Sequence, residues 1–500
     1  MNAIGKLING GFTLFFGLII ILALGGASFH ISESRFVSVS LVLLLAIAAF
    51  GLFLLTGKLE KYFANKFGSD KKKYRTAFVI MTLFLIAVQT AVAVFTDFTP
   101  KNDLSYLCQG AENVLRNGAD HLYDGLPQRH QHYFAVYPNN HMLYLIILAL
   151  YKIEFALTGN ITNFLPIAVN IIGLDISYIL MYKSAKLIYS PEKALTCAVK
   201  GLLFTPLFTY SQIFYTDSIS MPWLTAAVYV YLKWRKSSDA YNAHNSEDNI
   251  NNSINNKGSR RSYILRSCLY LLLCGIFTAI AYKIKGSNAI LLPAIFLDLI
   301  FRRKGIVKKF APTATIAAVF CLSCLLLSTL VNSVLKIDKN ELYDYEFPLI
   351  HWVMMSADGN GGYNVNDFYY TKSYKGYDHK VSADITRLSD KISEQGAGGF
   401  AAHLAYKASY TWKNGGYMAD YYLDSAVFHN KVFYIITALC HFTLLFSVLS
   451  SFAAKVRSKT DVIADNFVLK LMFIGITVFL LIWEARCRYL VSFFMLFPLL

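Results

Sequence analysis

The stretch that decides the reading is FTPKNDLSYLCQGAENVLRNG, residues 98–118. It follows directly on the apolar run 77–96, long enough to cross a bilayer, and so puts Asp103 where a membrane helix has just ended. Behind the acid, Leu104, Leu107, Ala111, Val114 and Leu115 recur at helical spacing, which predicts an amphipathic helix lying on the membrane surface. An Asp in that place can cap the helix by accepting from its first free N–H groups, or it can do chemistry. The rest of the chain bears on which.

Of the 500 residues 55% are hydrophobic, 15% aromatic and only 16% charged, with a mean hydropathy of +0.43. A water-soluble domain needs far less apolar material, so the composition predicts an all-α polytopic membrane protein. The net charge of +16 does not point to nucleic acid, because Lys and Arg gather in short blocks beside apolar runs, as in cytoplasmic loops. The close pair Cys321 and Cys324 falls inside an apolar run and reads as small packing residues rather than a metal or redox site.

Apolar runs predict spans near 11–28, 36–56, 77–96, 163–182, 193–213, 217–234, 263–282, 287–302, 308–335, 431–453, 466–483 and 489–500, about 12–13 in all depending on 141–157. The first reads as an uncleaved span and not a signal peptide, since another apolar run follows closely. The last is short for a span, which leaves open whether the C-terminus is complete. The basic loop GKLEKYFANKFGSDKKKYR, 57–75, is expected to be cytoplasmic, so the third span runs outward and 97–139 is an outer loop. Basic blocks at 182–193, 233–262 and 301–309 are also expected inside; this parity places 141–157 in the interface or makes it re-entrant, with 163–182 the true crossing. The organisation that results is two accessory N-terminal spans in 1–60, a transmembrane module over 77–335, an extracytoplasmic lid over 336–430 and C-terminal spans over 431–500. Within the module, the Asn- and Ser-rich segment 237–259 reads as a disordered cytoplasmic loop. No internal repeat or matched pair of broken helices appears.

On this topology five polar groups meet at the outer face. They are Asp103; YPNNHMLY, 137–144, with Tyr137, Asn139 and Asn140; FYTDSISMP, 214–222, with Asp217; AYKIKGSNAILLP, 281–293, with Lys283 and Lys285; and WEARCRYLVSFFMLFP, 483–498, with Glu484, Arg486 and Arg488. Cations on the translocated side run against the usual bias; they either snorkel to headgroups or bind an anionic group at the surface. A carboxylate with cations beside it suits sugar transfer from a polyprenyl phosphate. The base deprotonates an acceptor hydroxyl, and positive charge stabilises the phosphate as the C–O bond breaks. Asp97 near the span end, and His351 in the outer segment EFPLIHWVMMSADGNGGYNVNDFYYT, 346–371, are candidates for supporting the site.

In their order along 77–500, these groups resemble the GT-C superfamily of polytopic membrane glycosyltransferases, which includes the family 39-like protein O-mannosyltransferases, the aminoarabinose transferases of lipid A and the oligosaccharyltransferases. NDLSYLCQGAENVLRNG is similar to the acidic first outer loop of that class, YPNNHMLY to the proline step after it, and YTDSIS to the second acidic loop. GIFTAIAYKIKGSNAILLP is similar to its Gly-to-Lys-Gly helix pair, and EARCRYLVSFFMLFP to the start of a late helix. The resemblance implies a GT-C-like helical bundle with juxtamembrane helices in the first outer loop and a small outer domain. It implies Asp103 as catalytic base, Asp217 as a second acid orienting acceptor or metal, and Lys283, Lys285, Arg486 and Arg488 as the donor-phosphate region. Inversion at the sugar carbon is expected, and a divalent cation, Mg or Mn, stays open. The chain departs from the pattern where Leu104 replaces the second acid of the first-loop pair, and residues 1–60 have no counterpart.

The expected partners are a polyprenyl-phosphate sugar, the lipid bilayer and an extracytoplasmic acceptor: cell-surface glycan, lipid-linked glycan or protein. The expected setting is a bacterial cytoplasmic membrane, or the ER membrane in a eukaryote, with the site on the extracytoplasmic face. Two other classes compete. A secondary transporter or lipid-linked glycan flippase would concentrate ionisable groups at mid-membrane. A non-catalytic subunit of a cell-envelope assembly machine would have no cavity joining Asp103 to a lipid-facing groove.

Overall fold

The computed structural model describes residues 2–27, 35–247, 257–457 and 465–500. Among the described residues every regular element is a helix, relieved only by an isolated bridge between Phe98 and Leu423. Helices satisfy their own backbone, which is what a chain this apolar requires in lipid. Eight are long and apolar enough to cross a bilayer: Lys6–Ala27, Val39–Phe67, Lys71–Phe95, Pro138–Thr158, Phe164–Ile188, Arg260–Ile284, Ile306–Leu335 and Lys431–Ala454.

That number corrects the expected 12–13. Run 193–213 is broken into Pro191–Leu202 and Pro206–Thr209, because Pro206 cannot continue the helix before it. The carbonyls freed there are taken up by side chains: Asn170 Nδ2 donates to Tyr210 O and Ser211 O (2.6 and 3.0 Å), and Gln89 Nε2 to Leu207 O (2.8 Å). Run 287–302 splits into a 3-10 turn, Gly286–Ile290, and Leu291–Arg302, while 489–500 consists of short turns. Run 217–234 is the first part of one long helix, Thr216–Glu247, whose far end is polar, and 466–483 is the 16-residue apolar helix Phe467–Ile482, shorter than the eight.

The Pro138–Thr158 helix has the length and apolarity of a span, yet it starts and ends at the same end of the bundle. Its first turn holds Asn139 and Asn140, and at its other end Glu154 accepts from the Thr162 amide (2.9 Å) just before the Phe164–Ile188 helix. The latter helix runs away from that end, since its last turn offers the Leu187 carbonyl to Lys236 (3.0 Å) in the basic half of Thr216–Glu247. The 138–158 helix lies alongside Asp103–Asn117, with the Arg116 guanidinium over the Phe155 ring.

Three further segments differ from expectation. Residues 237–247 are helical, and the next helix begins at Lys257; Tyr241 stacks flat on Tyr263 (3.9 Å), whose hydroxyl donates to Ser238 Oγ (3.1 Å). Two helices supporting each other laterally overcome the polar composition there, and the remainder of the expected disordered loop, 248–256, lies outside the described residues. The N-terminal helices are not peripheral: Phe12 and Phe16 pack on Phe452, Phe473 and Trp412, and Lys470 Nζ donates to Asn9 Oδ1 (2.9 Å). Finally, only part of 336–430 is a lid. The helix Tyr377–Trp412 kinks at Gly396 (φ 61°), and its second half descends between apolar helices until buried Trp412 meets Phe16 and Phe473, each midway along one. The chain turns at Asn414–Gly416, Thr205 Oγ1 donating to Gly415 O (2.9 Å), and climbs back through Tyr417 to Tyr422. It forms a re-entrant hairpin.

Candidate functional site

At the end of the bundle capped by the lid lies a cavity of about 870 Å³. Its wall brings together Asp103, Tyr137, Lys283, Lys285, Arg486 and Arg488, residues spread over nearly four hundred positions of sequence. Asn139, Asn140 and Glu484 line it as well.

Asp103 is the first residue of the Asp103–Asn117 helix, whose Leu104, Leu107 and Ala111 are fully buried, as the periodicity predicts. The residue before it, Asn102, is held at φ 47°, ψ −128°, a region that favours glycine, and its side chain makes no cap hydrogen bond. Asp103 is thus turned toward the cavity, where Oδ2 accepts from the Tyr215 hydroxyl (3.0 Å). Relieving the strain tests this account. Asn102→Gly is expected to raise the thermal midpoint of the solubilised protein, corresponding to about 1 kcal/mol after glycine's entropic cost. An unchanged or lower midpoint contradicts it.

Facing Asp103 is a layered set of charges. Asp217, fully buried in the first turn of Thr216–Glu247, contacts Lys285 Nζ through Oδ1 and accepts from Arg488 Nη1 through Oδ2 (3.1 Å). Glu484 accepts from Arg486 Nε (2.6 Å) and from the Tyr489 hydroxyl (2.5 Å). The rings of Tyr215 and Tyr489 flank the cations: Arg488 lies over Tyr215 (4.6 Å) and Lys285 over Tyr489 (4.5 Å). Lys283 donates to Ser328 Oγ (2.9 Å). Asp103 is therefore joined to the cations through Tyr215, which a reading of acids and bases alone passes over although it stands two residues before Asp217. Arg129 and His130 also line the wall; no periodicity marks them in PQRHQH. Burial, and then the adjacent Arg129, pull His130 down to about 4, so its imidazole is neutral at neutral pH.

Asp217, expected to orient an acceptor or a metal, does not line the cavity, and Lys285 and Arg488 engage its two oxygens. Among the described residues no three His, Cys, Asp or Glu side chains group as a ligand set. Asp97 is exposed and off the wall. His351 is off it too: it is buried in the lid, Nδ1 against Thr371 Oγ1 (2.7 Å), because the apolar turn of Leu349–Met355 carries it inward. Beside it Asp384, accepting from the Thr371 hydroxyl (2.6 Å), is pushed up to about 6 by burial. A carboxyl whose folded value lies above its unfolded one destabilises as pH rises through that interval and costs most above about 6. Asp384→Asn is therefore expected to stabilise the lid by about 2 kcal/mol at pH 8 and hardly at all at pH 4. Thermal unfolding at the two pH values measures it.

The chain matches, over residues 1–500, the model of a family described as conserved hypothetical integral membrane protein, and it belongs to that family. No curated protein matches it. Among solved structures it is similar to the crystal structure of the Archaeoglobus fulgidus oligosaccharyltransferase tethered, via a disulfide bond, with an acceptor peptide containing the NVT sequon, at 12% identity and a TM-score of 0.34. The match covers 85% of this chain and 55% of that one, so this chain spans about half the length of its counterpart.

Proposed function

We propose that this conserved integral membrane protein is a glycosyltransferase that moves a sugar from a polyprenyl-phosphate donor to an extracytoplasmic acceptor, with Asp103 as general base. The observation that carries the reading is one cavity in which Asp103 shares the wall with Arg129, Lys283, Lys285, Arg486 and Arg488. In the reaction Asp103 takes the acceptor's hydroxyl proton, the acceptor oxygen bonds to the sugar's anomeric carbon, and the bond from that carbon to the phosphate oxygen breaks with its electron pair. Lys283, Lys285, Arg486 and Arg488 meet the charge that grows on the departing phosphate. Tyr137, Asn139 and Asn140, on the same wall as Asp103, contact the acceptor, which is a glycan, a lipid-linked glycan or a protein. The site faces the extracytoplasmic side, with the basic loops in the cytoplasm.

A transporter fits less well, because the charged groups of the cavity cluster at one end of the helices and not between them at mid-depth. A purely structural assembly subunit leaves a cavity of this size and charge without a use.

The test is to reconstitute the full chain in lipid nanodiscs with radiolabelled polyprenyl-phosphate sugars and follow the release of free polyprenyl phosphate. Release that rises when membrane extract is added as acceptor supports the reading, and EDTA in the same assay reads out any need for Mg2+ or Mn2+. Intact donors throughout the panel, with no binding of polyprenyl phosphate, overturn it.

A further inference from the structure

The cations assigned to the donor phosphate, Lys283, Lys285, Arg486 and Arg488, are held in unequal ways. Arg486 leans on Glu484 at the wall, and Lys283 reaches a hydroxyl. Lys285 and Arg488, though, share one carboxylate that is itself sealed off: Asp217 is fully buried, while Lys285 and Arg488 retain only 9% and 6% of their exposure. A lone acid next to an anion site would repel the anion. One that binds two cations with separate oxygens does something else.

Lys285 directly follows the helix Lys257–Ile284 and Arg488 sits in a 3-10 turn more than two hundred residues later, so no shared backbone fixes their separation. Asp217 fixes it by taking one cation on each oxygen. Both reach the cavity wall, and their remaining N–H groups are available to an anion there. Two buried like charges also repel each other, and the carboxylate between them offsets that repulsion. From this geometry we infer that Asp217 is a positioning residue: it fixes Lys285 and Arg488 as a preorganised fork for the donor phosphate and does not itself act on acceptor, metal or sugar. The inference rests on the donor-phosphate reading above and assigns a part within it.

The two views of Asp217 predict opposite signs. If it were a bystander acid, removing its charge would tighten anion binding. If it sets the fork, removal lets Lys285 shed its proton or swing away, and binding weakens.

The probe is farnesyl phosphate, titrated into the full chain in nanodiscs, with farnesol as the uncharged control. Asp217→Asn is expected to weaken farnesyl phosphate binding about tenfold or more with farnesol unchanged, and Asp217→Glu to restore most of it. Unchanged or tighter binding in a folded Asp217→Asn protein overturns the inference and leaves the donor-phosphate reading standing. A wild-type chain that does not bind the probe overturns that reading and the fork with it. If Asp217→Asn does not fold, Lys285→Met is compared with the Lys285→Met, Asp217→Asn double variant. The fork predicts no gain in affinity from the second substitution, and a gain overturns it.

Discussion

Replacing Asp103 by Asn is expected to lower sugar transfer by about 10³-fold while farnesyl phosphate still binds with near wild-type affinity. Asn has the size of Asp and can still accept from the Tyr215 hydroxyl, so the 3.0 Å contact and the strained turn at Asn102 survive. What is lost is a group able to take a proton. The loss falls on kcat, since an interaction made only as the acceptor is deprotonated leaves ground-state binding alone. Transfer at a near wild-type rate by a folded Asp103→Asn protein removes Asp103 as base and leaves it a structural partner of Tyr215.

The second large effect concerns architecture. At the tip of the re-entrant hairpin a Cβ on Gly415 would stand 2.6 Å from the carbonyl carbon of Thr437, and nearer still to its oxygen. The obstacle is the backbone of an apolar helix and cannot rotate away as a side chain would. Gly415→Ala is expected to cost about 3 kcal/mol, enough to deplete folded protein in the membrane. Gly398, in the descending limb, has nothing within 4 Å of the same position, and Gly398→Ala is the control, expected to be neutral or slightly stabilising because alanine suits a helix better. Monodisperse yield after solubilisation compares the two. Equal yields contradict the packing described for the tip.

Apolar runs and their periodicity are local properties, and they were readable: the all-helical membrane class and the amphipathic helix behind Asp103 both follow from them. Features that depend on distant partners were not. Trp412 sits in a stretch with Lys407, Lys413 and several glycines that reads as a water-exposed lid, and only Phe16, Phe473 and His441 make its buried place intelligible. Asp217 stood out as an acid, but its meaning lies in Lys285 and Arg488, which hold its two oxygens from elsewhere in the chain. His351 looked like a site residue because His is so often one. In the structure its Nδ1 meets Thr371 and its ring packs on Phe347 inside the lid, away from the cavity wall.

The seat of the first helix carries a consequence for how the protein is made. Asn9 receives Lys470 from 461 positions further on, and Phe12 rests on Phe452 and Phe473. This helix is thus made hundreds of residues before its packing partners, and until they arrive it waits in lipid with an amide that the finished protein keeps 1% exposed. Contacts this remote make assembly slow and give quality control a long interval in which to act. A chain cut anywhere before 431–457 would leave that helix an orphan, so early truncations should be degraded whole rather than accumulate as stable N-terminal fragments.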